Sequence, residues 1–222
     1  MMRKFTTPAP ISTVLAVPAG RIQLIAADRA DTVVEVRPAN PGKSRDIRAA
    51  EQTTVDFTDG VLRINAPEPT NKLIGASGSL EVTVQLPTGS HVEASAACTE
   101  LRGVGRLGNI SFDGAYRQIK IDEAAGIRLT AVDGDVEVGR LTGPAEISTS
   151  RGDIRIAEAK RGTVVLTTQS GSISVAAAPG TSAALDAGTA YGRISNTLKN
   201  DGIPELDIHA TTSHGDITAR SL

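Results

Sequence analysis

Gly152-Asp153-Ile154-Arg155-Ile156 is a phrase that the second half of this chain keeps repeating. It returns as Gly134-Asp135-Val136-Glu137-Val138, Gly171-Ser172-Ile173-Ser174-Val175, Gly192-Arg193-Ile194-Ser195 and Gly215-Asp216-Ile217-Thr218. Successive glycines stand 18, 19, 21 and 23 residues apart. Arg117-Gln118-Ile119-Lys120-Ile121 keeps the same frame one period upstream, and Thr99-Glu100-Leu101, a period earlier again, is a weaker member. A fixed period of this length marks a repeat architecture.

Each unit carries a second apolar pair, seven and five residues before its glycine. The pairs are Val92/Ala94, Ile110/Phe112, Ile127/Leu129, Ala145/Ile147 and Val164/Leu166. The last two units fit with two extra residues, as Ala183/Leu185 and Leu206/Ile208. A spacing of two is strand periodicity with one side buried. Every unit therefore predicts strand, short bend, strand and turn. The bends carry small polar residues, such as Ser148-Thr149, Thr167-Thr168 and Thr211-Thr212. A unit of about 18 residues cannot bury its own apolar side, so units must stack. The prediction is an all-β fold, a parallel β-solenoid of about seven or more turns. The ladder Leu101, Ile119, Val136, Ile154, Ile173, Ile194, Ile217 is expected inside it. An antiparallel sandwich or propeller stays open as an alternative, because Asp59-Gly60, Asp113-Gly114, Asp133-Gly134 and Asp201-Gly202 are hairpin-turn dipeptides.

Residues 1–90 are less regular. Arg21–Ile25, Thr32–Val36, Val61–Ile64 and Leu80–Leu86 have strand patterns, Asp46–Glu51 suits one short helix, and 65–79 has loop composition. This stretch is expected to form a β-rich cap and first turns ahead of the regular 17–23-residue repeats of 91–222. The whole of 1–222 then forms a single domain.

The 222 residues carry a net charge of −2, 40% hydrophobic and 2% aromatic side chains. The balance lacks the clustered Lys and Arg of a nucleic-acid footprint. So few rings exclude a base-stacking platform and leave little for sugar stacking. One cysteine, Cys98, permits no internal disulfide, and three scattered histidines offer no zinc cluster. Cys98 is expected to be a small packed residue. Neither a phosphate loop nor a dinucleotide or calcium-roll pattern occurs, so no cofactor is expected. No apolar run is long enough to span a bilayer. Ile11–Val17 is too polar for a signal-peptide core, which points to the cytoplasm.

The recurring Gly-Asp/Ser-Ile/Val corner, the Pro18-Ala19-Gly20-Arg21 strand start and the ending Ser213-His214-Gly215-Asp216-Ile217-Thr218-Ala219 resemble a bacterial β-strand-repeat family. That family is labelled "putative adhesin", a domain of unknown function. The resemblance covers nearly the whole chain and looks actinobacterial. It implies a β-solenoid and brings no catalytic residues.

The leading function is a non-catalytic structural or protein-interaction module, adhesin-like in architecture. The residues before the corner glycines, Arg151, Tyr191 and His214 among them, line up as a mixed polar row suited to a partner. Neighbouring-turn charges, Asp133 with Arg151 and Glu137 with Arg155, are expected to pair. The alternatives are a polysaccharide-active β-helix enzyme, using Asp135 and Asp153 about 5 Å apart, or a regulatory partner of an envelope or transcription system. Against the enzyme stands a simpler role, each Asp capping its own turn. Finally, the last repeat ends beside Leu222 without a capping helix. That predicts self-association through a C-terminal edge at about residues 205–222.

Overall fold

The computed structural model describes residues 1–67, 78–115 and 118–222, with only the backbone of Ala115. Most of the loop expected at 65–79, together with Tyr116 and Arg117, lies outside the described residues. In chain order the elements are β1 (Met2–Thr6), β2 (Ser12–Ala16), β3 (Ala19–Ala27), β4 (Asp31–Pro38) and α1 (Ser44–Gln52). Then come β5 (Thr54–Thr58), β6 (Val61–Asn65), β7 (Leu80–Pro87), β8 (His91–Ser95), and two long strands, β9 (Cys98–Ala115) and β10 (Ile119–Asp133). The repeats continue as β11 (Val136–Leu141), β12 (Ala145–Arg151), β13 (Ile154–Ala159), β14 (Gly162–Ser170) and β15 (Ile173–Ala177). The last are β16 (Ala183–Tyr191), β17 (Ile194–Thr197), β18 (Leu206–His214) and β19 (Ile217–Ser221).

These strands form a parallel β-solenoid whose coils stack as two parallel walls. One wall runs β6, β2, β8, the later halves of β9 and β10, β12, β14, β18, β16. The other runs β7, β3, the earlier halves of β9 and β10, β11, β13, β15, β19, β17. Each wall is nine strands deep, about 38 Å at strand spacing.

The alternation read from sequence packs the interior. Ile22, Leu101, Ile119, Val136, Ile154, Ile173 and Ile217 stack in register and are all at most 1% exposed. Leu15, Ala94, Phe112, Leu129, Ile147, Leu166 and Ala210 form the matching ladder on the facing wall. Two expectations need correction here. The last units contain no two-residue slip: Ile208 and Ala210, then Leu185 and Ala187, fall in frame with Val164 and Leu166. The small Ala187 and Ala210 do not stand out as core positions in sequence. Cys98 is exposed, because the alternation turns its neighbour Thr99 inward instead.

The coils are not stacked in chain order. β18 and β19 lie between the 162–177 coil and the 183–197 coil. The last segment is thus hydrogen-bonded on both sides, and the outermost strands at that end are β16 and β17. The expected free edge at 205–222 is therefore wrong, and the free edge is Ala183–Thr197. The other end mirrors this, with β2 and β3 lying between the 61–87 coil and the 91–113 region.

The corners explain the repeated glycine. Gly134, Gly152, Gly171 and Gly215 have φ of +131°, +127°, +156° and +150°, which side chains rarely adopt. The neighbouring coil also passes very close. A Cβ on Gly152 would sit 2.3 Å from the Gly134 carbonyl oxygen, and one on Gly171 2.0 Å from that of Gly152. Corner N–H groups close the stack: Gly152 donates to Ser170 O, Gly171 to His214 O and Gly215 to Tyr191 O, each at 2.9 Å.

The N-terminal end is capped. β4 pairs antiparallel with β7, β1 with β4, and β5 with β6. α1, longer than expected by two residues at its start, packs on β4 and β7 with Ala49 and Ala50 buried. Asp31 ties this cap together. Its carboxylate lies 2.8 Å from Arg29 Nε and 3.0 Å from Lys4 Nζ. The hydrogen bond from Arg29, then that from Lys4, lowers its pKa from 3.8 to about 2.

Two expected outcomes follow from corner and cap. Gly152→Ala forces a Cβ against backbone in a disfavoured conformation, and is expected to lower unfolding free energy in urea by about 2–4 kcal/mol. A depressed folded pKa stabilises above the unfolded value and is lost as pH falls through the folded one. Between pH 3.8 and about 2 the native melting temperature should therefore fall more steeply than that of Asp31→Asn; equal slopes would show that the clasp contributes nothing.

Candidate functional site: the corner row and the neighbouring groove

The corner is held by two side-chain ladders besides its glycines. Thr168 Oγ1 donates to Gly152 O at 3.2 Å, Thr212 Oγ1 to Gly171 O at 3.0 Å and Thr189 Oγ1 to Gly215 O at 3.1 Å. This accounts for Thr168, Thr189 and Thr212, whose hydroxyls bind the neighbouring coil's corner carbonyl, whereas Thr149 Oγ1 donates to Arg151 O on its own coil. Asp135 accepts a hydrogen bond from Asp153 N–H at 2.9 Å, Asp153 one from Ser172 N–H at 2.7 Å, and Asp216 one from Arg193 N–H at 2.9 Å. Each aspartate therefore caps the adjacent coil and not its own turn. Asp135 and Asp153 do stack on neighbouring coils, and each spends a carboxylate oxygen on this backbone ladder.

One residue before the glycines, register aligns Asp133, Arg151, Ser170, His214 and Tyr191 across five coils. The structure thus puts Arg151, His214 and Tyr191 on one row. Arg151 is paired with Asp133 at 2.7 Å, as the sequence predicts. Tyr191 and His214 lie on neighbouring coils, and their rings stack at 5.0 Å with 12° between planes; because the last coil is inserted, Tyr191 and not His214 ends the row. Tyr191 is 72% exposed, so the stack presents an open aromatic ring at the end of the row.

Other cross-coil ion pairs fix register along the wall. Arg140 reaches Glu158 at 3.3 Å and Glu123 at 3.7 Å, and Arg128 meets Glu146 at 3.2 Å. Glu137 departs from expectation. It pairs with Lys120 on the preceding coil at 2.8 Å rather than with Arg155. The Lys120 hydrogen bond lowers its pKa. Exposed pairs of this kind contribute about 0.2–1 kcal/mol each.

The wall that carries the corner row holds, at the starts of its strands, a feature that sequence reading missed. An open groove of about 790 Å³ crosses six coils, with Ser12, His91, Asn109, Gly126, Pro144 and Thr163 as one row of its lining. His91 Nδ1 accepts the Asn109 N–H at 3.0 Å. Gly126 keeps the floor low, since a Cβ there would lie 3.0 Å from Asn109 Oδ1. One residue per coil supplies this row, so nothing adjacent in sequence signals it. Among the described residues, no three His, Cys, Asp or Glu side chains gather as metal ligands, and no helix is long and apolar enough to cross a membrane.

Two walls of parallel strands joined by glycine corners define a β-solenoid of the repeat class. The chain belongs to the Toastrack DUF4097 family, whose model matches residues 12–220. A solved structure described as a putative adhesin from Bacteroides fragilis overlays with a TM-score of 0.54 at 14% identity, covering 99% of this chain and 96% of that one. At that identity the likeness shows the fold. Two Parabacteroides distasonis structures overlay more loosely. One is described as a putative adhesin (TM-score 0.49, 13% identity, 98% of this chain and 96% of that one). The other is described as a putative lipid binding protein (TM-score 0.47, 14% identity, 98% and 96%). No curated protein matches the sequence.

The aspartate ladder has a measurable consequence. Asp153→Ala removes the acceptor for Ser172 N–H and is expected to cost about 0.5–1.5 kcal/mol in denaturant unfolding, with the strand content of the circular dichroism spectrum unchanged.

Proposed function

We propose that this chain is a non-catalytic, adhesin-like interaction module whose partner is a protein engaged by the row Arg151, Ser170, His214 and Tyr191. The observation that carries this is the stacked, exposed Tyr191 ring at the end of a corner row. The chain holds only five aromatic residues, and an exposed tyrosine ring is a typical anchor of protein interfaces. Family membership and the adhesin description of the Bacteroides fragilis structure support the same reading. Residues 1–222 act in it as one unit, which the single continuous sheet favours, and the working compartment is the cytoplasm.

The test is a photo-crosslinking side chain at position 191, installed in native cells. A discrete adduct in the soluble cytoplasmic fraction, at a mass other than that of two copies of the chain, and lost in Arg151→Glu, is expected. An adduct open to protease on intact cells would overturn the compartment. Absence of any adduct beyond a doubled chain would overturn the partner face.

A further inference from the structure

The two ends of the solenoid are built differently. One is overlaid by the further strands β1, β4 and β5 and by α1. At the other, among the described residues, β16 pairs only with β18 and β17 only with β19. The outer side of both strands faces no strand. Only the start of β16 is covered, where Ala183 N–H donates to Lys199 O at 2.9 Å.

Proteins ordinarily blunt such edges with lysine, proline, bulges or inward charges. This edge carries none of them. The thirteen residues of β16 and β17 include one charged side chain, Asp186, which lies 3.4 Å from His209 on the adjacent strand. The interior ladder also surfaces here: Ile173 and Ile217 are 1% exposed, whereas Ile194, next in the same ladder, is 47% exposed. Ile203 and Leu222 lie exposed nearby in sequence.

We propose that a second copy of this chain covers this end, tail to tail, about a two-fold axis normal to both walls. Such an axis sets β16 antiparallel to its own copy in one wall and β17 antiparallel to its own copy in the other, so both edges are paired at once. An edge is always complementary to itself in this sense, and the near-absence of charge removes the like-charge clash that self-pairing would otherwise meet. The outermost strands of the other end, β1 and β5, are also paired on one side only. They carry Arg3, Lys4 and Asp56, charges that oppose further pairing, so the assembly closes at two copies instead of forming a filament. The dimer edge meets the partner row at Tyr191, the last residue of β16, and the two readings are told apart by their readouts: the dimer is read by mass, the partner by an adduct of different mass.

Light scattering on the full chain, from about 1 μM to about 200 μM, reads the proposal directly. Mass is expected to rise from the 22.9 kDa of one chain towards twice that value and no further. Ile194→Lys, at an already exposed position, is expected to hold the chain at monomer mass, while Arg3→Glu at the capped end leaves the rise unchanged. If Ile194→Lys fails to fold, Gly188→Asp serves in its place, since a Cβ there meets nothing within 4 Å. A constant monomer mass, growth beyond two copies, or a dimer indifferent to the edge variant would each overturn the proposal.

Discussion

Everything in this fold depends on how closely one coil's backbone passes its neighbour at the corner. Gly152, Gly171 and Gly215 each sit where a side-chain carbon would fall 2.0–2.3 Å from the next coil's carbonyl oxygen. That approach lets corner amides, threonine hydroxyls and aspartate carboxylates all reach the adjacent coil. A wider corner would break three ladders together and splay the two walls. The aliphatic interior contributes the larger share of burial, but the corner decides that the stack stays in register.

The register was legible from the glycines and the apolar pairs because both recur at fixed offsets. Ile119, Val136, Ile154 and Ile173 stack as the sequence predicts. The spatial order of coils was not legible, for a physical reason. Coils presenting the same ladder are interchangeable neighbours, so periodicity cannot tell whether Ile173 meets Ile194 or Ile217. The structure pairs it with Ile217. β1 and β5 escaped notice because single short strands at a cap carry no repeat, and β2 because it joins the stack far from its partners in sequence. The row of Arg151, His214 and Tyr191 was visible in sequence as an offset, whereas the place of Tyr191 at its exposed end depends on the inserted coil and was not.

The same exchange of order sets where the surfaces lie. Inserting the last segment buries Leu206, Ile208 and Ile217 and leaves the preceding coil outside, with its aromatic ring and its uncharged edge. The corner row and the groove therefore lie at the two ends of one wall's strands, and the open end meets the corner row at Tyr191. A repeat protein of this kind can engage more than one surface at a time, since each is supplied by different residues of the same coils.

The inserted segments also bear on how the chain is made. Translation delivers Ala183–Thr197 before Leu206–Ser221, yet the later segment lies between the earlier one and the body of the stack. Likewise Ser12–Ala27 finds both of its neighbours only once residues up to 104 have emerged. Coil-by-coil folding from the ribosome cannot deliver this arrangement; a nascent chain has to hold a gap open or exchange partners when the final strand arrives. The molecule is fastened like a belt whose tongue passes back under its own last loop: peeling β19 and β18, or β2 and β3 once β1 has left β4, must break two rows of hydrogen bonds rather than one.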